Sequence, residues 1–124
     1  MSFTAPGECE NLHPDEYIQL VKRTLLDEPD VPLSSKETMQ IWCAMGLAGE
    51  AGEAVDHIKK GIFHRHGIDK DKLIKELGDV LWYVAALCEK FDISLEGVMN
   101  KNIEKLRERY PDGYKSEDSI KRKE

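Results

Sequence analysis

The chain has 124 residues, 40% of them hydrophobic, and a formal net charge of −6. That length suits one domain with a modest core, and that composition excludes a disordered chain. The acidic balance argues against non-specific nucleic-acid binding, which needs clustered Lys and Arg, and no apolar run approaches the roughly 20 residues that span a bilayer.

Met1 to Asn11 carries acids and lacks the apolar stretch of a secretory signal. A first helix is predicted from Pro14, a good first-turn residue, with Tyr17, Leu20, Val21 and Leu25 as its apolar stripe. It should end before Pro29, since Asp27 to Leu33 holds two prolines and reads as a loop. Ser34, with Glu37 three residues later, fits a capping box that opens a second helix running to about Lys60. Gly61 is the expected stop, followed by a His- and Arg-rich loop in which His64, Arg65 and His66 read as surface residues.

A third helix is predicted from about Asp69 to Lys90, with Leu73, Leu77, Val80, Val84, Leu87 and Phe91 forming a seam for helix packing. A fourth starts at the N-cap Ser94 and runs to about Tyr110, burying Val98, Met99, Ile103 and Leu106, and Pro111-Asp112-Gly113 ends it. The tail from Lys115 to Glu124 is polar and expected to be loose. Strand-like alternation is nearly absent, so the chain reads as one all-α domain over 1–124, its core at about 14–114, built as a four-helix bundle.

The three cysteines, Cys9, Cys43 and Cys88, form no C-x-x-C pair, which speaks against a zinc ribbon or a disulfide framework. Cys43 and Cys88 lie in apolar segments and read as small core residues, and a cytoplasmic location is expected.

Two segments carry chemical information: Gly46-Leu47-Ala48-Gly49-Glu50-Ala51-Gly52-Glu53-Ala54, and Glu76-Leu77-Gly78-Asp79-Val80. Each holds two carboxylates three residues apart, which share a helix face. From Ile41 to Val55 the only charged side chains are Glu50 and Glu53, and from Leu77 to Cys88 the only one is Asp79. On a wheel, Ile41, Met45, Ala48, Gly52 and Val55 fall on one side, and Glu50, Glu53 and His57 on roughly the opposite side. The acids therefore point into a second contact region. Burying a carboxylate costs on the order of several kcal/mol unless it is paired or metal-bound. A divalent cation relieves both that cost and the mutual repulsion, and all-oxygen ligation suits Mg²⁺ or Mn²⁺. Gly46, Gly49, Gly52 and Gly78, each unfavourable in a helix by about 1 kcal/mol, point to close approach by another helix or by a ligand. A di-iron bundle needs Glu-x-x-His pairs that this chain lacks, and an EF-hand carries its acids in a loop.

On the fourth helix Asn102, Lys105 and Arg109 share one stripe suited to a polyphosphate, and Lys60 falls nearer the acid side of the second helix than Lys59. The second helix is apolar around its circumference from Ile41 to Met45, and the third nearly so from Val80 to Leu87. With Trp42, Trp82 and Tyr83 added, a homodimer or dimer of dimers is expected.

The runs GLAGEAGEAVDHIKK, KELGDVLWYVAAL and NIEKLRERYPDGY resemble the MazG-like nucleotide pyrophosphohydrolases of the all-α NTP pyrophosphatase superfamily, over roughly Thr38 to Tyr114. The resemblance implies Mg²⁺-dependent hydrolysis of a nucleoside triphosphate between the α and β phosphates, giving a monophosphate and pyrophosphate. It implies Glu50, Glu53, Glu76 and Asp79 as metal ligands. Glu50, Glu53, Lys105 and Arg109 are the implied catalytic residues, and Lys60, Asn102, Lys105 and Arg109 the substrate contacts. Some relatives carry a further acid directly before the first Glu, where this chain has Gly49. MazG itself has two such domains and this chain one. Hydrolysis of dUTP or phosphoribosyl-ATP is the enzymatic alternative, and a non-catalytic helical nucleotide-binding or dimerisation module the other. Nothing in the helix pattern encodes recognition of a particular base.

Overall fold

The computed structural model describes residues 11–122, so Cys9 and most of the segment read above for a secretory signal lie outside the described residues. Among the described residues five helices form: α1 (Pro14–Lys22), α2 (Ser35–Phe63), α3 (Lys70–Lys90), α4 (Leu95–Arg109) and α5 (Ser116–Ile120). Among the described residues the only β feature is an isolated bridge between Pro111 and Gly113. No helix there is long and apolar enough to cross a membrane. The chain divides into two units, the first ending at Leu33 and the second beginning at Ser34.

In the first unit α1 starts on its expected residue. His13 caps it by accepting from the Asp15 amide, and Glu16 reaches back to the His13 amide. The helix stops at Lys22, short of the apolar stripe's last member, Leu25.

The second unit is organised by the α2–α3 hairpin. The capping box at Ser34 is complete: its hydroxyl accepts from the Glu37 amide at 3.1 Å, and the Glu37 carboxylate accepts from the Ser34 amide at 3.0 Å. Those bonds hold the Glu37 carboxyl below its ordinary range. Asp69 caps α3 and Ser94 caps α4, each through its side chain. Gly61 does not end α2, as the sequence suggested. It lies buried inside the helix, and its missing Cβ makes room for the Ile68 side chain and the Gly67 carbonyl where the loop folds back. Arg65 and Gly67 both take positive φ, and the Gly67 amide bonds back to the Gly61 carbonyl at 3.1 Å. That reversal sets α3 antiparallel beside α2.

Three cross-links fix the register. Gln40 donates to the Lys90 carbonyl at 3.0 Å, the Tyr83 ring covers Gly46, and His57 Nε2 meets the Asp69 carbonyl at 3.2 Å. Cys43, Ala54, Gly61 and Cys88 are buried along this seam, as small residues must be where helices approach closely.

Several expectations change at this level. The tail is not all loose, since residues 116–120 form the short α5. No residue of α4 is buried, so Val98, Met99, Ile103 and Leu106 are not a covered face within the chain. Of the α3 seam, Leu73, Val80, Val84 and Leu87 are half-buried, while Leu77 and Phe91 are exposed. The close approach expected of the glycines holds for Gly46 alone. A Cβ at Gly49, Gly52 or Gly78 would meet nothing.

Candidate active site

The hairpin register brings Glu50 level with Asp79, and Glu53 level with Glu76. Their electrostatics agree with that placement. The Glu50 carboxyl is pushed above the usual carboxylate range, first by burial, then by the charges of Glu53 and Asp79, a hydrogen bond shared with Glu53, and the charge of Glu76. The other three sequence-nominated acids therefore all act on Glu50. Glu50 and Glu76 are half-buried, while Glu53 and Asp79 are exposed, so two of the four, not all, turn away from water.

The deciding atoms are Oε2 of Glu50 and Oε2 of Glu76. Both are screened from solvent and neither has a hydrogen-bond partner. A buried carboxylate oxygen without a donor is costly and calls for a cation or a proton. Two such oxygens on facing helices, flanked by two further acids, suit a hard divalent ion with oxygen ligands. Among the described residues no three His, Cys, Asp or Glu side chains are gathered tightly enough, as they stand, to hold an ion. The four acids do not stand as a closed ligand set.

Beside the acids lies a cleft of about 690 Å³ that Glu53 and Glu76 share with Gly49, Gly52, Asp56, Lys60, His66 and Lys72. The open glycines thus border space that a ligand can fill. Lys60 lines this cleft as expected, but Asp56 holds it at 2.8 Å, and Lys59 reaches the same carboxylate at 3.4 Å. The hydrogen bond from Lys60 holds Asp56 below its ordinary range, and the same bond raises Lys60. The Lys60 ammonium thus stays charged and paired with Asp56 beside the cleft.

The α4 stripe is not brought to the acids: Asn102, Lys105 and Arg109 do not line the cleft. Arg109 carries its own signal, a buried Nε without a hydrogen-bond partner at the last residue of α4.

Sequence reasoning passed over Asp56, Lys72 and His66. Lys72 lies four residues before Glu76, one helical turn away, and that spacing could have nominated it. His66, read as a surface loop residue, lines the cleft because the loop folds back at Gly67. No periodicity signals that.

Residues 40–114 match the family described as the MazG nucleotide pyrophosphohydrolase domain. The Gene 37 protein of Mycobacterium phage L5 is 42% identical over 72 residues, which cover 55% of this chain and 63% of the phage protein. The similarity thus spans less than two thirds of that relative's length. No solved structure matches the chain.

Proposed function

The chain belongs to the MazG nucleotide pyrophosphohydrolase family, and from that membership we propose that it hydrolyses a nucleoside triphosphate between the α and β phosphates, releasing a nucleoside monophosphate and pyrophosphate. Mg²⁺, with Mn²⁺ as substitute, is held by Glu50, Glu53, Glu76 and Asp79. The observation that carries this reading is the pair of orphaned oxygens on Glu50 and Glu76, set on facing helices beside a cleft that also holds Lys60.

When bound, the ion neutralises phosphate charge and lowers the pKa of water. The chain's own residues do the rest. Glu50 and Glu53, three residues apart on one face of α2, are assigned to orient the attacking water. Lys60, already charged and held by Asp56, faces phosphate oxygens in the cleft and stabilises charge as it develops. Asn102, Lys105 and Arg109 are assigned to the triphosphate by their match to the family pattern. The preferred base and the service performed, such as cleansing of nucleotide pools, are for assay.

A panel of natural and damaged nucleotides, with dUTP and phosphoribosyl-ATP included, tests the metal requirement. Pyrophosphate should appear with Mg²⁺ or Mn²⁺ and stop in excess EDTA. Undiminished release in EDTA overturns the ligand assignment, and no release from any nucleotide favours a non-catalytic module.

We also propose that the chain works as a homodimer or dimer of dimers, which completes a helical bundle. Met45 is 68% exposed, and Ile41, Val55, Ile74, Leu77 and Leu81 are exposed with it. On α2 this stripe lies opposite the acids. Uncovered apolar faces of this kind mark interfaces, and two-fold association is the commonest way to cover them. A second copy can also carry Arg109 or Tyr114 toward the acids of the first. Sedimentation equilibrium at low micromolar concentration should show a multiple of the 14.2 kDa chain mass, and a single species at that mass refutes the association.

A further inference from the structure

Trp42 and Lys90 lie toward the open end of the hairpin, away from the cleft beside the acids. There Trp42 of α2 and Trp82 of α3, with Ala85 and Ala86, border a second hollow of about 340 Å³. Its lining is almost wholly apolar, and Met39 and Cys43 of α2 with the stems of Glu89 and Lys90 complete it. The size falls within the small-ligand range, which begins at about 300 Å³. The two indoles are 56% and 59% exposed, unusual for the largest apolar side chain.

Trp82 is held in place. Its ring meets Tyr83 edge-on, with centroids 5.0 Å apart and planes at 84°, and Tyr83 is itself laid across Gly46. An aromatic face fixed in advance costs little to order when a ligand arrives. The slot is also close to the acids. Trp82 follows Asp79 by one turn, about 4.5 Å along the axis, and Trp42 precedes Glu50 by about 12 Å. That interval is of the order of one nucleoside. Of the stripe assigned above to a second copy, Ile41 lies about a third of a turn from Trp42, whereas Met45, three residues on, borders the same face.

We propose that this hollow takes the base of the substrate nucleotide, stacked on Trp82 and Trp42. These indoles then contribute to base preference. The assignment rests on the reading that the phosphates sit at the acids.

Calorimetric titration of the full chain in Mg²⁺ tests it without hydrolysis. The probes are nucleoside 5′-monophosphates carrying each common base, and inorganic pyrophosphate. Base stacking on an aromatic side chain corresponds to roughly tenfold or more in affinity. Trp42→Ala and Trp82→Ala should each weaken the preferred monophosphate by about that factor, Trp82→Phe should retain most of the affinity, and all three should bind pyrophosphate as the parent does. Saturable quenching of the parent's tryptophan fluorescence by the free nucleoside gives a readout that needs no variant. Unchanged monophosphate binding in both alanine variants overturns the slot, as does equal loss of pyrophosphate binding or absence of quenching. A fall in sedimentation mass in those variants also overturns it, because a second copy then covers this face. Metal-dependent pyrophosphate release is scored separately, so the slot and the hydrolytic reading can fail independently.

Discussion

Glu53→Gln and Asp79→Asn should each lower kcat/KM by about a hundredfold or more while leaving the helical circular dichroism unchanged. Loss of a residue that merely supports a metal ligand costs 10- to 100-fold, and a ligand itself should cost more. Each amide keeps the volume of the acid and removes only its charge. The charges of Glu53 and Asp79 both raise the Glu50 carboxyl, so neutralising either relieves repulsion in the metal-free protein. The metal-free melting temperature should therefore hold or rise. The increase in melting temperature produced by Mg²⁺ in the parent, a ligand bound only to the folded chain, should shrink or vanish. Activity and metal-induced stabilisation falling together identify a ligand. A variant that keeps both removes its residue from the site.

Substitution of the helical glycines should split in sign. Gly46→Leu should destabilise by about 1–3 kcal/mol or more, because even a Cβ at Gly46 would overlap the Tyr83 ring. Gly78→Ala should stabilise by up to about 1 kcal/mol, since a Cβ there meets nothing and alanine is the better helix former. In a domain of this size each kcal/mol moves the melting temperature by a few °C, so the two variants should separate clearly in one thermal scan. Because Tyr83 also braces Trp82, Gly46→Leu should shift the tryptophan emission, and Gly78→Ala should leave it in place. Equal effects of the two substitutions would contradict the packing of Tyr83 across α2.

Much of the hairpin is written locally. Ser34 with Glu37, Asp69 and Ser94 start their helices where capping chemistry requires, and the observed caps use those side chains. The acid pairs were legible because i, i+3 spacing fixes direction around one helix. Their alignment across two helices is another matter. It depends on Tyr83 covering Gly46 and on Gln40 reaching Lys90, contacts separated by tens of residues. His66 enters the cleft only because Arg65 and Gly67 adopt positive φ, a loop geometry that composition does not announce. The apolar residues of α4 show the limit most plainly. Periodicity identifies Met99 and Ile103 as a face to be covered, but not whether the same chain covers it, and both are exposed. The same holds for Lys105 and Arg109, whose spacing defines a stripe without saying what it meets.

The identity of the bond broken tests the central claim most directly. Hydrolysis of the preferred nucleoside triphosphate in ¹⁸O-water, with the products resolved by mass spectrometry, reports it in one experiment. Attack at the α-phosphorus places the label on the nucleoside monophosphate and leaves the pyrophosphate unlabelled. Label in the pyrophosphate, or release of orthophosphate and a nucleoside diphosphate, would contradict the proposed cleavage between the α and β phosphates.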